Sequence, residues 1–317
     1  MAQETKKHPI RNWSAYNQAL INRGNLTIWI EDTPKKWISS TQTGKKGRPK
    51  TYSDDAILLA LVLRSIYHLP LRALEGFITS LFQMMHSTLP VPCYTQICRR
   101  AAHLDKSLPR LSSKTPTDVV FDSTGVKVYG EGEWKVRQHG KGKRRIWKKV
   151  HLAICPQSHE IIMSELTEST ATDGKVCEKM IPHLPESVKN VLADGAYDQG
   201  GVYQELHKKD IKSIIPPRKN SKPKNLDEAP WYKDRNEALQ EISTNDNQAE
   251  GRKAWKQSSG YHTRSLVETA MFRFKCIFGG NFRSRETRRQ KAELFAKSIA
   301  MNKMTQLGMP QRERIAA

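Results

Sequence analysis

One stretch near the C-terminal end, YHTRSLVETAMFRFKCIF from Tyr261 to Phe278, constrains the fold of this chain more than any other. On a helix of about 100° per residue, one narrow stripe of this stretch is polar or charged. It consists of Tyr261, Arg264, Glu268 and Lys275. A second stripe is apolar and consists of Val267, Met271, Phe274 and Phe278. The pattern predicts a helix that packs its apolar side on a core. The spacing alone also suits an ordinary surface helix with a solvated charged flank.

The order Y-x2-R-x3-E-x6-K in this stretch resembles the signature of bacterial insertion-sequence transposases of the DDE class, in the IS-four and IS-five-like groups. The resemblance implies that Glu268 is the third of three metal-binding carboxylates. It associates Tyr261, Arg264 and Lys275 with transposon-end DNA and its phosphates. It also implies two Asp residues upstream, each on a strand or at the end of one.

The net charge favours an anionic polymer as partner. The 317 residues include 53 Lys or Arg against 32 Asp or Glu, a formal net charge of +21. Together with a pI near 9.8, this points to nucleic acid first. The mean hydropathy is −0.66, and no apolar run approaches the roughly 18 residues of a membrane span. We therefore expect double-stranded DNA as partner and no membrane.

The N-terminal sequence and the cysteines indicate in which cellular compartment the protein is expected. The opening MAQETKKHPIRNWS has no apolar segment of the kind that a secretory signal needs. The five cysteines are odd in number, scattered, and form no C-x-x-C pair, which favours reduced thiols over disulfides or a zinc site. These features, with the family resemblance, predict a cytoplasmic, nucleoid-associated bacterial protein.

Residues 1–115 predict an all-α DNA-binding region. The expected helices are Asp54–Tyr67, Leu71–Met85 and Tyr94–Leu104. Ser53 can cap the first of them. The last is short and basic, with Arg99 and Arg100 facing outward, which is compatible with a helix-turn-helix that enters a major groove. A helical bundle packed on the neighbouring domain is equally compatible with the pattern.

A basic segment precedes these helices. Gly47-Arg48-Pro49, flanked by lysines, resembles the core of hooks that insert a flat Arg-Pro segment into an A·T-rich minor groove. Arg48 would be the inserted residue. The alternative is a basic linker.

Two aspartates upstream of Glu268 meet the requirement of the resemblance. Asp122 interrupts the apolar run DVVFDSTGVKV, and a buried carboxylate needs a partner or a metal. An Asp that bonds a turn at a strand end is the alternative. Val191 and Leu192 are expected to form a buried strand that ends at Asp194-Gly195, the kind of strand end where α/β sites usually form. DSTG and ADGAYD also resemble the two Asp motifs of the same transposases. Asp198 is expected to be a turn or helix cap.

A basic hairpin is predicted between these two aspartates. The segment Trp134 to Val150 contains eight Lys or Arg and no acid. A positive hairpin beside a carboxylate makes sense next to DNA phosphates, and Lys148 is one of the residues expected to contact them.

The order of predicted elements indicates fold class. Three antiparallel strands are followed by helix, strand, helix, strand, a polar insert at 218–260, and the Glu268 helix. This is the order of the α/β ribonuclease-H-like fold, a mixed sheet flanked by helices, here predicted at 116–309. A final helix at Lys291–Leu307 and a tail at 310–317 complete the chain. The insert is expected to be mostly loop around one short helix. Its Glu250 is a weaker candidate for the third acid, because no apolar stripe orients it.

The chemistry that these residues imply is DNA cleavage and joining. Three carboxylates without a Cys/His cluster favour a hard cation, Mg²⁺ first, with Mn²⁺ as a substitute. The resemblance implies two ions, cleavage at terminal inverted repeats, transfer of the freed strand to target DNA, and a homodimer or larger assembly on DNA. Two alternatives stay open: an inactive DNA-binding repressor or relic, and a ribonuclease-H-fold nuclease without strand transfer.

Overall fold

The computed structural model describes residues 9–30, 37–39, 51–104, 115–128, 147–245 and 247–311. The contacts divide the chain into two compact units, residues 1–100 with 299–317 and residues 101–298. The predicted division at residue 115, with a catalytic domain to 309 and a tail from 310, stays a prediction. The Gly47-Arg48-Pro49 hook and most of the basic hairpin from Trp134 lie outside the described residues.

The described part of the first unit is mainly helical. Its helices are α1 (Trp13–Asn22), α2 (Leu26–Ile30), α3 (Asp54–Ile66), α4 (Leu71–Met84) and α5 (Tyr94–Ala101). The hydroxyl oxygen of Ser53 accepts a hydrogen bond from the Ala56 N–H at 2.9 Å, which confirms the predicted cap. The Glu75 carboxylate accepts from the Tyr94 N–H at 2.7 Å and so fixes the start of α5 on α4.

A six-stranded mixed sheet forms the centre of the second unit. Its strands are β1 (Asp118–Val128), β2 (Trp147–Ile154), β3 (Ile161–Glu168), β4 (Asn190–Leu192), β5 (Lys212–Ile214) and β6 (Asn281–Phe282). The order is β3-β2-β1-β4-β5, with β6 beside the end of β1. The first three strands are antiparallel, whereas β4 and β5 run parallel to β1. This is the ribonuclease-H-like arrangement, which confirms the predicted fold class.

Helices cover the sheet. The remaining ones are α6 (Asp173–Met180), α7 (Gly200–Lys208), α8 (Lys233–Ser243), α9 (Gln248–Ser258), α10 (Ser265–Phe278) and α11 (Thr287–Leu307). One core joins Val119 and Phe121 of β1 to buried residues of α6 and α7. Helix α10 packs against β1 with a buried side of Val267, Ala270, Met271, Phe274 and Phe278, as its apolar stripe predicted.

The polar insert corrects one expectation, because residues 248–258 form a helix where a loop was predicted. Gly251 lies so close to α8 that an added Cβ would fall 2.1 Å from the carbonyl oxygen of Ile242. Trp255 is buried with Ala238 and Ile242 in a small core of its own. The helix therefore depends on close packing between α8 and α9, which a polar composition conceals.

Within the described residues, no single helix has the length and apolar composition of a membrane span. Helices α3 and α4 reach that length and composition only as a pair bent by 108°.

Candidate active site

The register of the sheet brings the two predicted aspartates together. Val120 of β1 pairs with Leu192 of β4, and each aspartate follows its strand's member of that pair by two residues. Because the strands are parallel and side chains alternate between faces, Asp122 and Asp194 emerge side by side. Asp122 is 16% exposed and Asp194 38% exposed. Each accepts a local backbone hydrogen bond at 2.8 Å.

Glu268 joins them from α10, in whose first turn it lies. The three acids meet at the guanidinium of Arg264. Its Nη2 lies 3.7 Å from Asp122 Oδ2 and 3.8 Å from Asp194 Oδ2. Its Nη1 donates to Glu268 Oε1 at 2.6 Å. The structure thus brings three carboxylates from three separate elements to one cationic position.

The electrostatics of this site favour an added cation. One guanidinium faces three carboxylates, so negative charge is in excess. Burial raises the pKa of Asp122 above its ordinary value; the Ser123 N–H and Arg264 oppose this, whereas Asp194 and Glu268 add to it. A cation bound beside Asp122 would oppose this upward shift, as Arg264 already does.

The Arg264 side chain was expected to lie beside the acids and to face DNA, but the structure places it elsewhere. Its side chain is 19% exposed and points among the carboxylates. Its Nε is buried, with no hydrogen-bond partner in the described part of the chain. Although burial favours the neutral form, Tyr261 and the acids raise the pKa of Arg264 above its ordinary value. The spacing of four residues to Glu268 is a signal for this ion pair.

Tyr261 lies on a 3₁₀ turn, Tyr261–Arg264, and not on the regular helix that the sequence predicted. Gly260 before it has φ +70°, a conformation that separates this turn from α9. The Tyr261 ring packs on Trp255 with centroids 5.8 Å apart. Burial raises the pKa of Tyr261 to about 12, against the influence of Arg264. The insert helices therefore hold this phenol beside the acids.

The other expected DNA contacts divide into exposed and engaged residues. Lys275 and Arg99 are exposed. Arg100 donates to the carbonyl of Tyr52 at 2.9 Å and pairs with Asp54. The Arg100 side chain is therefore engaged within the protein, whereas the sequence predicted that it faces outward.

Lys148 lies in a different environment from the exposed one expected of a DNA contact. It is only 5% exposed, and its ammonium group bonds the Thr287 hydroxyl at 2.6 Å and the Glu168 carboxylate at 2.9 Å. It ties β2 to the start of α11 and β3. Its contact with DNA stays a prediction.

Asp198 was expected to bond a turn or cap a helix, but in the structure it is part of a buried ion-pair network. Its side chain is 4% exposed and pairs with Arg235 Nε at 2.8 Å. It also accepts from the Tyr203 hydroxyl at 3.0 Å and from the Arg218 N–H at 2.8 Å. This network fastens the polar insert to the connection that carries Asp194.

Phe272 is a feature of the site region that sequence reasoning missed. It lies on α10 one turn after Glu268 and is 69% exposed. The signal was present, since a spacing of four residues places two side chains on the same side of a helix.

The three carboxylates are the groups that could hold a metal ion at this site. Within the described residues, no group of three His, Cys, Asp or Glu side chains is already arranged to hold one. The three acids instead surround a guanidinium, which is larger than a metal ion. Their chemistry still fits a hard divalent cation, since carboxylate oxygens are the ligands that such ions prefer.

Comparison with protein families gives a direct assignment. Residues 113–303, more than half of the chain, match the family profile described as transposase DDE domain. A second profile with the same description matches residues 21–131. The chain belongs to the DDE transposase family, a class that generally uses divalent metal ions.

Individual relatives are more distant. A protein of uncharacterised function from Aquifex aeolicus (strain VF5) is 25% identical over 199 residues. That match covers 57% of this chain and 60% of the relative, so the chain spans less than two thirds of that protein's length.

Two solved structures are also similar at low levels. One is a piggyBac transposase synaptic complex with hairpin DNA, with 11% identity, a TM-score of 0.39, and coverage of 94% of this chain and 76% of that one. The other is a Drosophila P element transposase strand transfer complex, with 13% identity, a TM-score of 0.30, and coverage of 84% and 69%.

Proposed function

We propose that this protein is a transposase that binds the terminal inverted repeats of an insertion sequence, cleaves DNA there and transfers the freed strand to target DNA. The convergence of Asp122, Asp194 and Glu268 on one cationic position carries the proposal. Family membership supports it, because DNA strand cleavage and transfer is the chemistry of the DDE class.

The three acids would hold Mg²⁺, two ions by the family resemblance, with Mn²⁺ able to replace it. When bound, the metal supplies Lewis-acid activation of the nucleophile and stabilisation of the leaving oxygen. The site fits it because carboxylates outnumber cations there, and because Arg264 already occupies the centre with positive charge.

Arg264, Tyr261 and Lys275 would act on the DNA backbone. With the acids neutralised by a bound cation, the Arg264 guanidinium would be able to hold a phosphate, to which it can donate two hydrogen bonds. Tyr261, held by Trp255, keeps its proton at neutral pH as a phenol ordinarily does, and burial raises its pKa further, to about 12. Its hydroxyl can therefore donate to a phosphate oxygen. The exposed Lys275 adds a positive charge on the same helix.

End recognition would reside in residues 1–115. The exposed Arg99 on α5 is placed to contact a groove or its phosphates, and Arg48 would enter the minor groove. Because two ends must be brought together, a homodimer or larger assembly on DNA at the nucleoid is part of the proposal.

The test is incubation of the protein with the DNA that flanks its own coding sequence and Mg²⁺, followed by detection of nicked and joined products. Asp122→Ala, Asp194→Ala and Glu268→Ala should each abolish both products while DNA binding persists. Glu250→Ala is the matched control and should cleave like the wild type.

Each other outcome has a definite meaning. Loss of cleavage in Glu250→Ala but not in Glu268→Ala would move the third acid to Glu250. Nicks without joined products would identify a nuclease, and binding without nicks would identify an inactive DNA-binding protein. Either of these results would overturn the proposed transposase function.

A further inference from the structure

The two edges of the sheet end in different ways. The β5 edge is three residues long, and the Asp234 carboxylate covers it by accepting a hydrogen bond from the Ser213 N–H at 2.5 Å. The β3 edge is eight residues long, and within the described residues no strand pairs with its outer side. Proteins usually protect a long edge, because its main-chain groups can pair with another chain. The β3 edge is therefore open to an added strand.

A cavity of about 840 Å³ lies at this edge, between β3 and α6. Met163 and Leu166 both line it. Because side chains alternate along a strand, these two point to opposite faces of the sheet, so the cavity reaches across the edge. Its volume falls in the range of about 300–1,000 Å³ that is usual for binding sites. A groove between an edge strand and a helix suits an extended peptide that joins the sheet.

The lining of this groove combines apolar and basic side chains. Its apolar members are buried: Ile162, Met163, Leu166, Val176 and Met180. Lys175 and Lys179 of α6 line it as exposed residues. Glu165 also lines it, but its carboxylate is paired with Lys291 of α11. The groove therefore favours an occupant with apolar side chains and acidic groups.

The net charge of the chain indicates the source of such an occupant. The chain carries a formal charge of +21, so a second copy would bring like charge to a basic groove. Duplex DNA is anionic, but its phosphates gain nothing from buried apolar side chains. An acidic segment of another protein meets both the charge and the apolar lining.

We propose that β3 and α6 form a docking groove for an extended acidic segment of a partner protein, which joins the sheet as a strand beside β3. The main chain of the segment would pair with the outer side of β3, which gives such sites their affinity. Its apolar side chains would cover the apolar lining, and its carboxylates would pair with Lys175 and Lys179. None of the three acids of the candidate active site lines this groove, so the inference goes beyond the proposed function.

The test measures the binding of synthetic octapeptides with blocked ends to the full chain, by fluorescence anisotropy without DNA. The probe alternates Val and Glu. One control peptide has Lys in place of Glu, and the other has Pro in place of the two central Val, because Pro donates no main-chain hydrogen bond. The acidic probe should bind about ten-fold or more tightly than either control peptide.

Charge-reversal variants locate the site. Lys175→Glu and Lys179→Glu should each weaken binding of the acidic probe about five-fold or more. Lys253→Glu, which reverses an exposed lysine on α9, is the matched control and should bind like the wild type. Urea unfolding should show equal stability for the three variants, since all three positions are exposed.

Hydrogen exchange tests the added strand directly. The bound probe should slow amide exchange in residues 162–167 of the wild type, and the slowing should be lost in the double variant of Lys175→Glu and Lys179→Glu. Pairing with the outer side of β3 is the physical reason, because a hydrogen-bonded amide exchanges only when the pairing opens.

Four results would overturn the inference. Absence of binding by the acidic probe is the first. Equal binding of the Pro peptide would show attraction by charge without an added strand. Equal weakening by Lys253→Glu would show that the probe has no fixed site. Displacement of the probe by duplex DNA, with DNA binding weakened by Lys175→Glu and Lys179→Glu, would make the groove part of a DNA surface.

Discussion

Asp194 and Asp198 are four residues apart in one connection, yet the protein surrounds them in opposite ways. Asp198 is 4% exposed and is bonded by Arg235 at 2.8 Å and by the Tyr203 hydroxyl at 3.0 Å. Asp194 is 38% exposed, and its nearest cation in the described part of the chain is Arg264 at 3.8 Å. That guanidinium also serves Asp122 and Glu268.

The difference separates an acid that stabilises the fold from acids that are available for chemistry. The hydrogen-bond capacity of Asp198 is filled by groups of the protein, so nothing is left for a ligand. The cluster around Arg264 has three negative charges and one positive charge, and its contacts to the aspartates are longer than hydrogen bonds. Removing one partner from a buried charge network of the first kind is costly, whereas a cluster of the second kind attracts a further cation.

The largest effect on stability is expected from a substitution of Asp198, whose hydrogen bonds are all made within the protein. Asp198→Ala leaves Arg235 buried without its partner, which should cost about 3–5 kcal/mol of unfolding free energy. Urea unfolding at neutral pH measures it. The exposed Asp227→Ala is the matched control and should change stability by about 0.5 kcal/mol or less. A loss equal to that of the control would show that the Asp198 network is not structural, and the contrast with Asp194 would disappear.

His151 is buried like Asp198, but only one of its two ring nitrogens has a hydrogen-bond partner in the described part of the chain. Its Nε2 contacts the Thr167 hydroxyl at 2.8 Å, while its Nδ1 is 3.7 Å from Asp173. Burial lowers its pKa from 6.5 to about 4, against the influence of Asp173. Between these values the unfolded chain binds more protons, so the stability that the neutral ring contributes is present above pH 6.5 and is lost as the pH falls toward 4. The loss should reach about 3 kcal/mol.

The measurement for His151 is urea unfolding of wild type and His151→Gln across pH 4 to 7. The variant cannot titrate at this position, so its stability should fall less than that of the wild type over this range. Parallel curves for the two proteins would show that His151 is not held neutral by the fold.

Much of this fold follows from local sequence patterns. Helices α3 and α4 were predicted near their observed bounds, because apolar periodicity and caps are local signals. Helix α9 was missed, since it depends on the contact of Gly251 with Ile242 and on the burial of Trp255. Helix α11 begins at Thr287, before the predicted Lys291, because its buried Gln290 reads as a surface residue in the sequence.

The convergence of three acids was predictable from the sequence, whereas the orientation of Arg264 among them was not. Spacing and resemblance selected Asp122, Asp194 and Glu268, and strand order explains how the aspartates meet. The inward turn of Arg264 depends on the placement of β1, β4 and α10 relative to one another, which no local pattern encodes. Lys148 was assigned to DNA because it belongs to a strongly basic segment, and the sequence does not show that the start of α11 packs against it.

The smallest effect on stability is expected from a substitution of Lys275, an exposed residue on the helix that carries Glu268. Lys275 is exposed, so Lys275→Ala should change the unfolding free energy by about 0.5 kcal/mol or less. Met271→Ala, in the buried side of the same helix, should cost roughly 2–5 kcal/mol. Lys275→Ala should instead lower the salt dependence of DNA binding by about one phosphate contact. A stability loss as large as that of Met271→Ala would make Lys275 a structural residue.

Calorimetric titration of the metal-free protein with Mn²⁺ tests the central claim most directly, namely that the three acids form an open cation site. The wild type should bind Mn²⁺, and Asp122→Asn, Asp194→Asn and Glu268→Gln should each weaken binding strongly. Glu250→Gln should bind like the wild type, and Arg264→Gln should bind more tightly because a competing cation is gone. If the wild type shows no binding, or if the three acid variants bind as well as Glu250→Gln does, the three acids do not form a metal site.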